Sequence, residues 1–284
     1  MQIRTMRFED IPFAIRLTDQ EKWGVTRSDL TRILKLNPAG SFIANEGPRR
    51  VGLITTTRYG RKLAWIGNVI VDRKHRGKRI GHSLVQKAVE YMHRSKAEHI
   101  ALYCFNENVT FYRRLGFVSD APFVRLRRKP KPFPSTPPAS ASAAYQRLPL
   151  RSVLASDKKA FGADRSKLIR MVLRTKTAWY LGCSNGPNAG SYLLVKKFKD
   201  MFELGPWVCI DPPNGQPREM LSLALAKTTG KPVEVSCFQH HPAFALLGKN
   251  GFRTMSHGYR MFFGKIPRID RREANYALGF LDKG

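Results

Sequence analysis

The chain has 284 residues, 42% of them hydrophobic, which is room for about two domains of the usual ~100–200 residues and enough apolar side chain for proper cores. No apolar run approaches the ~20 residues of a membrane span, and the start, MQIRTMRFED, is polar and acidic too early for a signal peptide. The net charge of +29 raises the local concentration of polyanions, which leaves nucleic acid, a ribosome, an acidic substrate or a merely basic, solvated surface open. In chain order, Gln2 to Phe8 reads as a first strand, with Ile3 and Met6 alternating. Glu9 and Asp10 then precede Ile11-Pro12, an acidic cap and an early proline that start a helix to about Gln20. A second helix spans about Ser28 to Leu36, and Asn37-Pro38-Ala39-Gly40 turns the chain. Ser41 to Asn45 and Val51 to Tyr59 read as a hairpin around Glu46-Gly47-Pro48.

The next stretch, Ala64 to Met92, organises the first half. Ala64 to Val71 is a buried strand, and from about Ile80 the residues Ile80, Leu84, Ala88 and Tyr91 or Met92 line one helical face. Between them lies RGKRIG, Arg76 to Gly81. A loop that opens a helix points unpaired N–H groups and the positive end of the helix dipole one way, and Arg76, Lys78 and Arg79 add cations. By itself such a basic loop is more often only solvated. A second motif follows: the strand His99 to Phe105, then FNENVTFYRRLGF, with a short helix from about Asn108 to Leu115 and Gly116 at its left-handed end.

These two stretches resemble the cofactor motifs of the GNAT N-acetyltransferase superfamily: the acyl-CoA pyrophosphate loop, written Q/R-x-x-G-x-G/A, and the N…Y…GF segment. Arg76 and Gly81 match the first and last loop positions. Arg79 stands where the inner glycine is usual, so its backbone must adopt a conformation glycine takes more freely. The β-α-α-β-β-β-α-β-α order to about Asp120, the opening R-x-x-x-x-D-I and the Trp after the first helix are also similar to the family. The resemblance implies acetyl-CoA as co-substrate. Arg76, Gly77, Lys78, Arg79, Ile80 and Gly81 would lie at its phosphates, and the backbone of Val69, Ile70 and Val71 along the pantetheine arm. Asn106 would bond the pantetheine or the last strand, unless it is a helix cap. Tyr112 would be the acid that protonates the leaving thiolate, unless it is a core tyrosine with a bonded hydroxyl. No general base stands out: Asp72 and Glu107 read as solvated, and Glu21 would line the acceptor side.

Phe123 to Leu126 completes the first domain, 1–126. Residues 127–150, opening RRKPK and continuing into a Pro/Ser/Ala-rich run, read as an extended basic linker. The domain 151–284 repeats the plan: helices on either side of Gly162, strands from Ala178, Gly190 and Glu203, a helix Leu221 to Lys227, a strand Val233 to Phe238, a short helix Pro242 to Gly248 and a last strand Ser256 to Phe263. Asp72 and Asp211 close matching strands, and Gly116-Phe117 and Gly251-Phe252 follow matching short helices. The second copy is degenerate. Its loop, DPPNGQPRE, has prolines where N–H donors are needed, and Leu247 stands where the first copy has Tyr112. FGADR and Tyr259-Arg260-Met261 resemble the tandem-GNAT proteins whose C-terminal copy is degenerate. The fold class is therefore α+β, two tandem GNAT-like domains, each a mixed, mostly antiparallel sheet flanked by helices.

His240-His241 suggests capping or solvation rather than a metal site, and none is expected. Cys104, Cys183, Cys209 and Cys237 are scattered, as reduced core residues of a cytoplasmic protein would be. Two functions stand. One is acetyl-CoA-dependent N-acetyl transfer in the N-terminal domain, by direct attack of an unidentified amine that is small, protein-borne or RNA-linked. The other is a weakly catalytic or non-catalytic binder of nucleic acid or ribosomes. The charge disfavours a polyamine acceptor.

Overall fold

A computed structural model describes residues 1–131, 145, 148–184, 190–198 and 200–284. It divides into two units: Met1–Asp120 with Arg260–Pro267 and Leu281–Gly284, and Ala121–Tyr259 with Arg268–Phe280. Each is a mixed sheet flanked by helices. Among the described residues no helix is long and apolar enough to cross a membrane.

The first unit runs β1 (Gln2–Thr5), α1 (Ile11–Gln20), α2 (Arg27–Leu36), β2 (Phe42–Glu46), β3 (Arg49–Tyr59), β4 (Leu63–Val71), α3 (Ile80–Arg94), β5 (His99–Phe105) and α4 (Val109–Arg113). The strands lie in sequence order, antiparallel until β4 meets β5 in parallel. The amphipathic pattern predicted for α3 is borne out: Ile80, Leu84, Ala88 and Met92 are buried on one face, with Val85 and Val89 beside them. On the sheet's other face Phe13, Leu17, Leu30 and Ile33 pack against Ile43, Leu53 and Ile70.

Two helix starts differ from expectation. Asp10 does not cap α1. It is fully buried, and its carboxylate accepts from Arg4 at 2.7 and 2.8 Å and from the Arg7 N–H at 2.8 Å, with Arg50 2.8 Å away. Burial alone would raise its pKa; these donors outweigh that and lower it. The capping box is at α2 instead, where Thr26 accepts from the Asp29 N–H at 3.2 Å and Asp29 accepts from the Thr26 N–H at 3.1 Å.

The rest of the chain holds β6 (Phe117–Arg128), which begins in the first unit and runs into the second, α5 (Leu150–Phe161), α6 (Ser166–Leu173), β7 (Ala178–Ser184), β8 (Gly190–Phe198), β9 (Met201–Cys209), α7 (Gln216–Lys227), β10 (Val233–Phe238), α8 (Pro242–Lys249), β11 (Arg253–Phe263), which ends in the first unit, and β12 (Asn275–Ala277). The strand expected over 123–126 is thus longer. Arg127 and Arg128 pair with Glu234 and Val233 and are ladder residues, not linker. Most of the Pro/Ser/Ala-rich run, 132–144 and 146–147, lies outside the described residues. The strand order β6-β10-β9-β8-β7 surrounds a core that includes Leu193, Leu204, Trp207, Leu221, Val235 and Leu247.

Candidate functional site

The site grows from the end of β4. Leu63 to Ile66 pair in parallel with His99 to Leu102, and there the β4–β5 ladder stops. Asn68 takes φ +47°, the β3–β4 register shifts between Leu53 and Thr55, and the strand runs on as Val69, Ile70 and Val71. A polar residue after a glycine inside an apolar strand is the sequence sign of such a bulge. The consequence is an edge of β4 that faces β5 without pairing to it. An extended chain could add its own hydrogen bonds there.

Past Val71 the chain forms one 3₁₀ turn, Arg73–His75, capped by the Asp72 carboxylate, which accepts from the Lys74 N–H at 2.9 Å. The predicted loop follows. Gly77 has φ +81°, and open space surrounds the place a Cβ would take. Arg79 has φ +58° and immediately precedes α3. The side chain standing at the inner-glycine position has therefore accepted a left-handed backbone, at a cost of roughly 1–2 kcal/mol. Ile80, Gly81 and His82 present first-turn N–H groups with no helical partner. The basic side chains rest on nearby carboxylates. Arg76 donates to the Val71 carbonyl at 3.1 Å and to Glu21 at 2.7 Å, and Arg73 reaches Glu21 at 3.1 Å. Lys78 Nζ is 3.3 Å from both oxygens of Glu46. These pairs are exposed and weak, so a multiply charged phosphate would displace them.

Glu21, expected to line the acceptor side, is thus committed to Arg73 and Arg76, which hold its pKa below the ordinary carboxylate value. Asp72 is lowered too, first by the Lys74 N–H. Neither is a good proton acceptor near neutral pH. Glu107 is exposed.

Tyr112 lies in α4, 8% exposed, with its ring edge-on to Phe111 at 5.0 Å and to Phe117 at 5.8 Å. Burial, and secondarily Cys104, pushes its pKa well up, so the phenol keeps its proton across the working range. A Cβ built at Gly81 would lie 3.6 Å from the Phe111 ring and 3.7 Å from Val71, so the loop's last residue, the end of β4 and the tyrosine helix are adjoining. Asn106 opens the 3₁₀ turn after β5 and is exposed. Sequence reasoning missed Arg73 and Glu46, surface charges without a pattern of their own.

The second unit supplies the contrast. β9 pairs in parallel with β10 from Phe202 to Leu204, then kinks at Gly205, φ +130°. Beyond the kink, β12 fills the place left by β10, with Asn275 opposite Val208 and Ala277 opposite Trp207. The Leu278 N–H bonds the Ser236 carbonyl of β10 at 2.8 Å. The loop before α7 carries Pro212, Pro213 and Pro217, and Leu247 is fully buried. His241 caps α8, accepting from the Ala243 N–H at 3.0 Å.

Comparison with known proteins gives two matches along the chain. Residues 8–117 match the model of the acetyltransferase (GNAT) family, and residues 153–277 that of an acetyltransferase (GNAT) domain. Over 76 residues the sequence is 32% identical to histone acetyltransferase TAP1 of Glycine max; that stretch is 27% of this chain and 33% of the relative. A candidate acetyltransferase of Pyrococcus horikoshii superposes with a TM-score of 0.81 at 22% identity, over 100% of this chain and 95% of the other. A tandem GNAT protein from the clavulanic acid biosynthesis pathway superposes with 0.64 at 14% identity, over 92% and 97%.

Proposed function

Because the chain belongs to the GNAT acetyltransferase family, as a tandem of two such domains whose co-substrate is acetyl-CoA, we propose that the N-terminal domain, residues 1–126, performs the transfer and that the acceptor is a primary amine. The observation that carries this reading is the open edge of β4 beside the basic loop, set against the filled edge of β9. Acetyl-CoA supplies an activated acyl group on a thiol leaving group. This chain's groups then have distinct tasks. Arg76, Lys78, Arg79 and the N–H groups of Gly77 to Gly81 suit the phosphates. The backbone of Val69, Ile70 and Val71 suits an extended arm, and one N–H there would stabilise charge growing on the acyl oxygen. Asn106, at the mouth, would bond the same arm.

The neutral amine attacks the acyl carbon, the C–N bond forms, the C–S bond breaks, and the sulfur departs needing a proton. Tyr112 is the donor in this reading. Its raised pKa places it far above an ordinary thiol at ~8.5. Full transfer from the phenol alone is uphill, so it acts as a hydrogen bond to sulfur that becomes transfer only as the product ammonium sheds its own proton. The four cysteines are thiols rather than disulfides, which supports a reducing, cytoplasmic setting.

The test is an acetyl-CoA turnover screen over amines, peptides and tRNA, with the intact chain and with Tyr112→Phe. Turnover that falls in the variant with cofactor affinity kept supports the assignment; unchanged turnover removes Tyr112 from it. The second reading, a nucleic-acid or ribosome binder, rests on the +29 charge. Salt-sensitive RNA binding without acetyl-CoA affinity would favour it.

A further inference from the structure

The second unit gathers cations at the elbow between α5 and α6. From Lys158 to Lys176 the sequence has seven lysines and arginines and one carboxylate, Asp164. One of the seven, Arg165, lies inside. Its guanidinium donates to both oxygens of Asp157 at 2.9 Å and sits 4.0 Å from the centre of the Phe161 ring. The Tyr192 hydroxyl donates to the same carboxylate. This buried network ties α5, β8 and the start of α6 together, so the elbow is held in one shape. Gly162 closes α5 at φ +84°, and a Cβ there would stand 1.9 Å from the Ile269 carbonyl oxygen. The Arg271 N–H donates to the Ala160 carbonyl at 2.9 Å, so the loop 268–272 is seated against the same turn.

The other cations of the stretch face outward. α6 buries Leu168, Ile169 and Val172, and Lys167, Arg170 and Arg174 are exposed at i, i+3 and i+7. Asp164 accepts from the Ser166 N–H at 2.9 Å. Its pKa is held below the ordinary carboxylate value, first by Ser166 and then by Lys158 and Arg170, so these two cations stand round one carboxylate. On the seated loop Arg268 is exposed, and Arg271 lies 3.4 Å from Glu273. Like charges at i+3 and i+4 disfavour a helix, and a cation in the first turn opposes its dipole. The arrangement therefore weakens the free chain, and a bound polyanion would offset that. The apolar residues of α6 that a lipid surface would take up, Leu168, Ile169 and Val172, are already buried.

We infer that the outer side of this elbow, Lys158, Lys167, Arg170 and Arg174 with Arg268 and Arg271, is a docking surface for the phosphate backbone of a nucleic acid. Lys167 to Arg174 spans about 10 Å at ~1.5 Å per residue, and a duplex carries one charge per ~1.7 Å, so about six phosphates lie within that length. The inference goes beyond the acyl-transfer reading and does not depend on it, because the surface lies in the second unit and uses none of the residues assigned to acetyl-CoA. It places on one surface what the net charge alone leaves diffuse.

The experiment titrates the full chain into a labelled RNA hairpin and a labelled DNA duplex, followed by fluorescence anisotropy between about 50 and 200 mM salt. One variant combines Lys167→Glu, Arg170→Glu and Arg174→Glu. A second, with the same change in net charge, combines Arg61→Glu, Lys62→Glu and Arg94→Glu at exposed positions of the first unit. The first variant should bind at least about ten-fold more weakly, and its slope of log affinity against log salt should fall by about 2–3. The second should stay within about three-fold of the full chain. Tighter binding of the hairpin or of the duplex names the source of the phosphates, and either result supports the surface. No binding by the full chain at about 50 mM salt, or equal losses from the two variants, would overturn it. Poly-glutamate that competes as well as RNA at equal charge would overturn it in favour of an acidic protein. A circular-dichroism melt checks that each variant folds. Should the triple change unfold the chain, Arg170→Gln with Arg174→Gln decides: the slope should fall by about 2, and an unchanged slope would overturn the inference.

Discussion

Two copies of one plan differ most at the same place, the point where the parallel pair of strands stops pairing. In the first unit β4 leaves β5 after Ile66, kinks at Asn68 and keeps a free edge next to a loop of N–H donors and cations. In the second unit β9 leaves β10 after Leu204 and kinks at Gly205, and β12 takes the edge. A sheet edge is a template for another chain. One copy leaves it unpaired with β5, while the other satisfies it internally with β12. The two copies keep one fold and differ there in three small ways: the second has prolines in the loop, leucine in place of tyrosine, and one short strand laid in the gap.

The comparison breaks most visibly at the tyrosine. Tyr112→Phe should lower turnover by about 10²-fold or more while acetyl-CoA affinity stays within about two-fold, and Leu247→Tyr should add no activity. Steady-state rates beside calorimetry check both. Burial raises the Tyr112 pKa, so the phenol stays protonated as pH climbs. The rate should rise as the acceptor amine loses its proton, with no loss from Tyr112 up to pH ~10. A fall in kcat near neutral pH that disappears in Tyr112→Phe would contradict this.

Next in size is the anion loop. The pair Arg76→Glu and Lys78→Glu should weaken acetyl-CoA by roughly 10–100-fold, the value of one or two charged hydrogen bonds. Dephosphorylated pantetheine should lose little. Arg218→Glu, in the second unit, should leave acetyl-CoA affinity unchanged. Equal losses for CoA and pantetheine would remove the phosphates from the loop.

Smaller effects concern stability. Gly205→Ala places a Cβ 2.2 Å from the Leu278 carbonyl oxygen at φ +130°, and should destabilise the second unit by about 1–3 kcal/mol in a denaturant melt. No destabilisation would show that the tight seat over β9 is unimportant. Arg79→Gly relieves a left-handed arginine at φ +58° and should raise stability by about 0.5–1 kcal/mol net of the glycine's entropy.

The parts legible beforehand follow from local rules. The period of Ile80, Leu84, Ala88 and Met92 placed α3, Gly116 took the left-handed end at φ +88°, and the repeated strand-helix-strand-helix plan announced two copies. The break in β4 was half-legible, as Gly67-Asn68 inside an apolar run. Asp10 misled because an acidic residue before Ile-Pro suits a cap, whereas Arg4 and Arg50 draw it inward from strands that only the tertiary fold brings near. β12 was not foreseen, since three residues carry too little period to read. The carbonyls of Leu281 and Lys283 accept from Trp65, Thr57 and Tyr59, more than two hundred positions earlier. Contacts at that separation leave no mark in a local pattern.

The most direct measurement is backbone hydrogen exchange of the full chain with and without acetyl-CoA. Added protection confined to residues 69–71 and 76–82 is the result expected from a single open edge and a single anion loop. Protection at 207–217, or at both places equally, would contradict it.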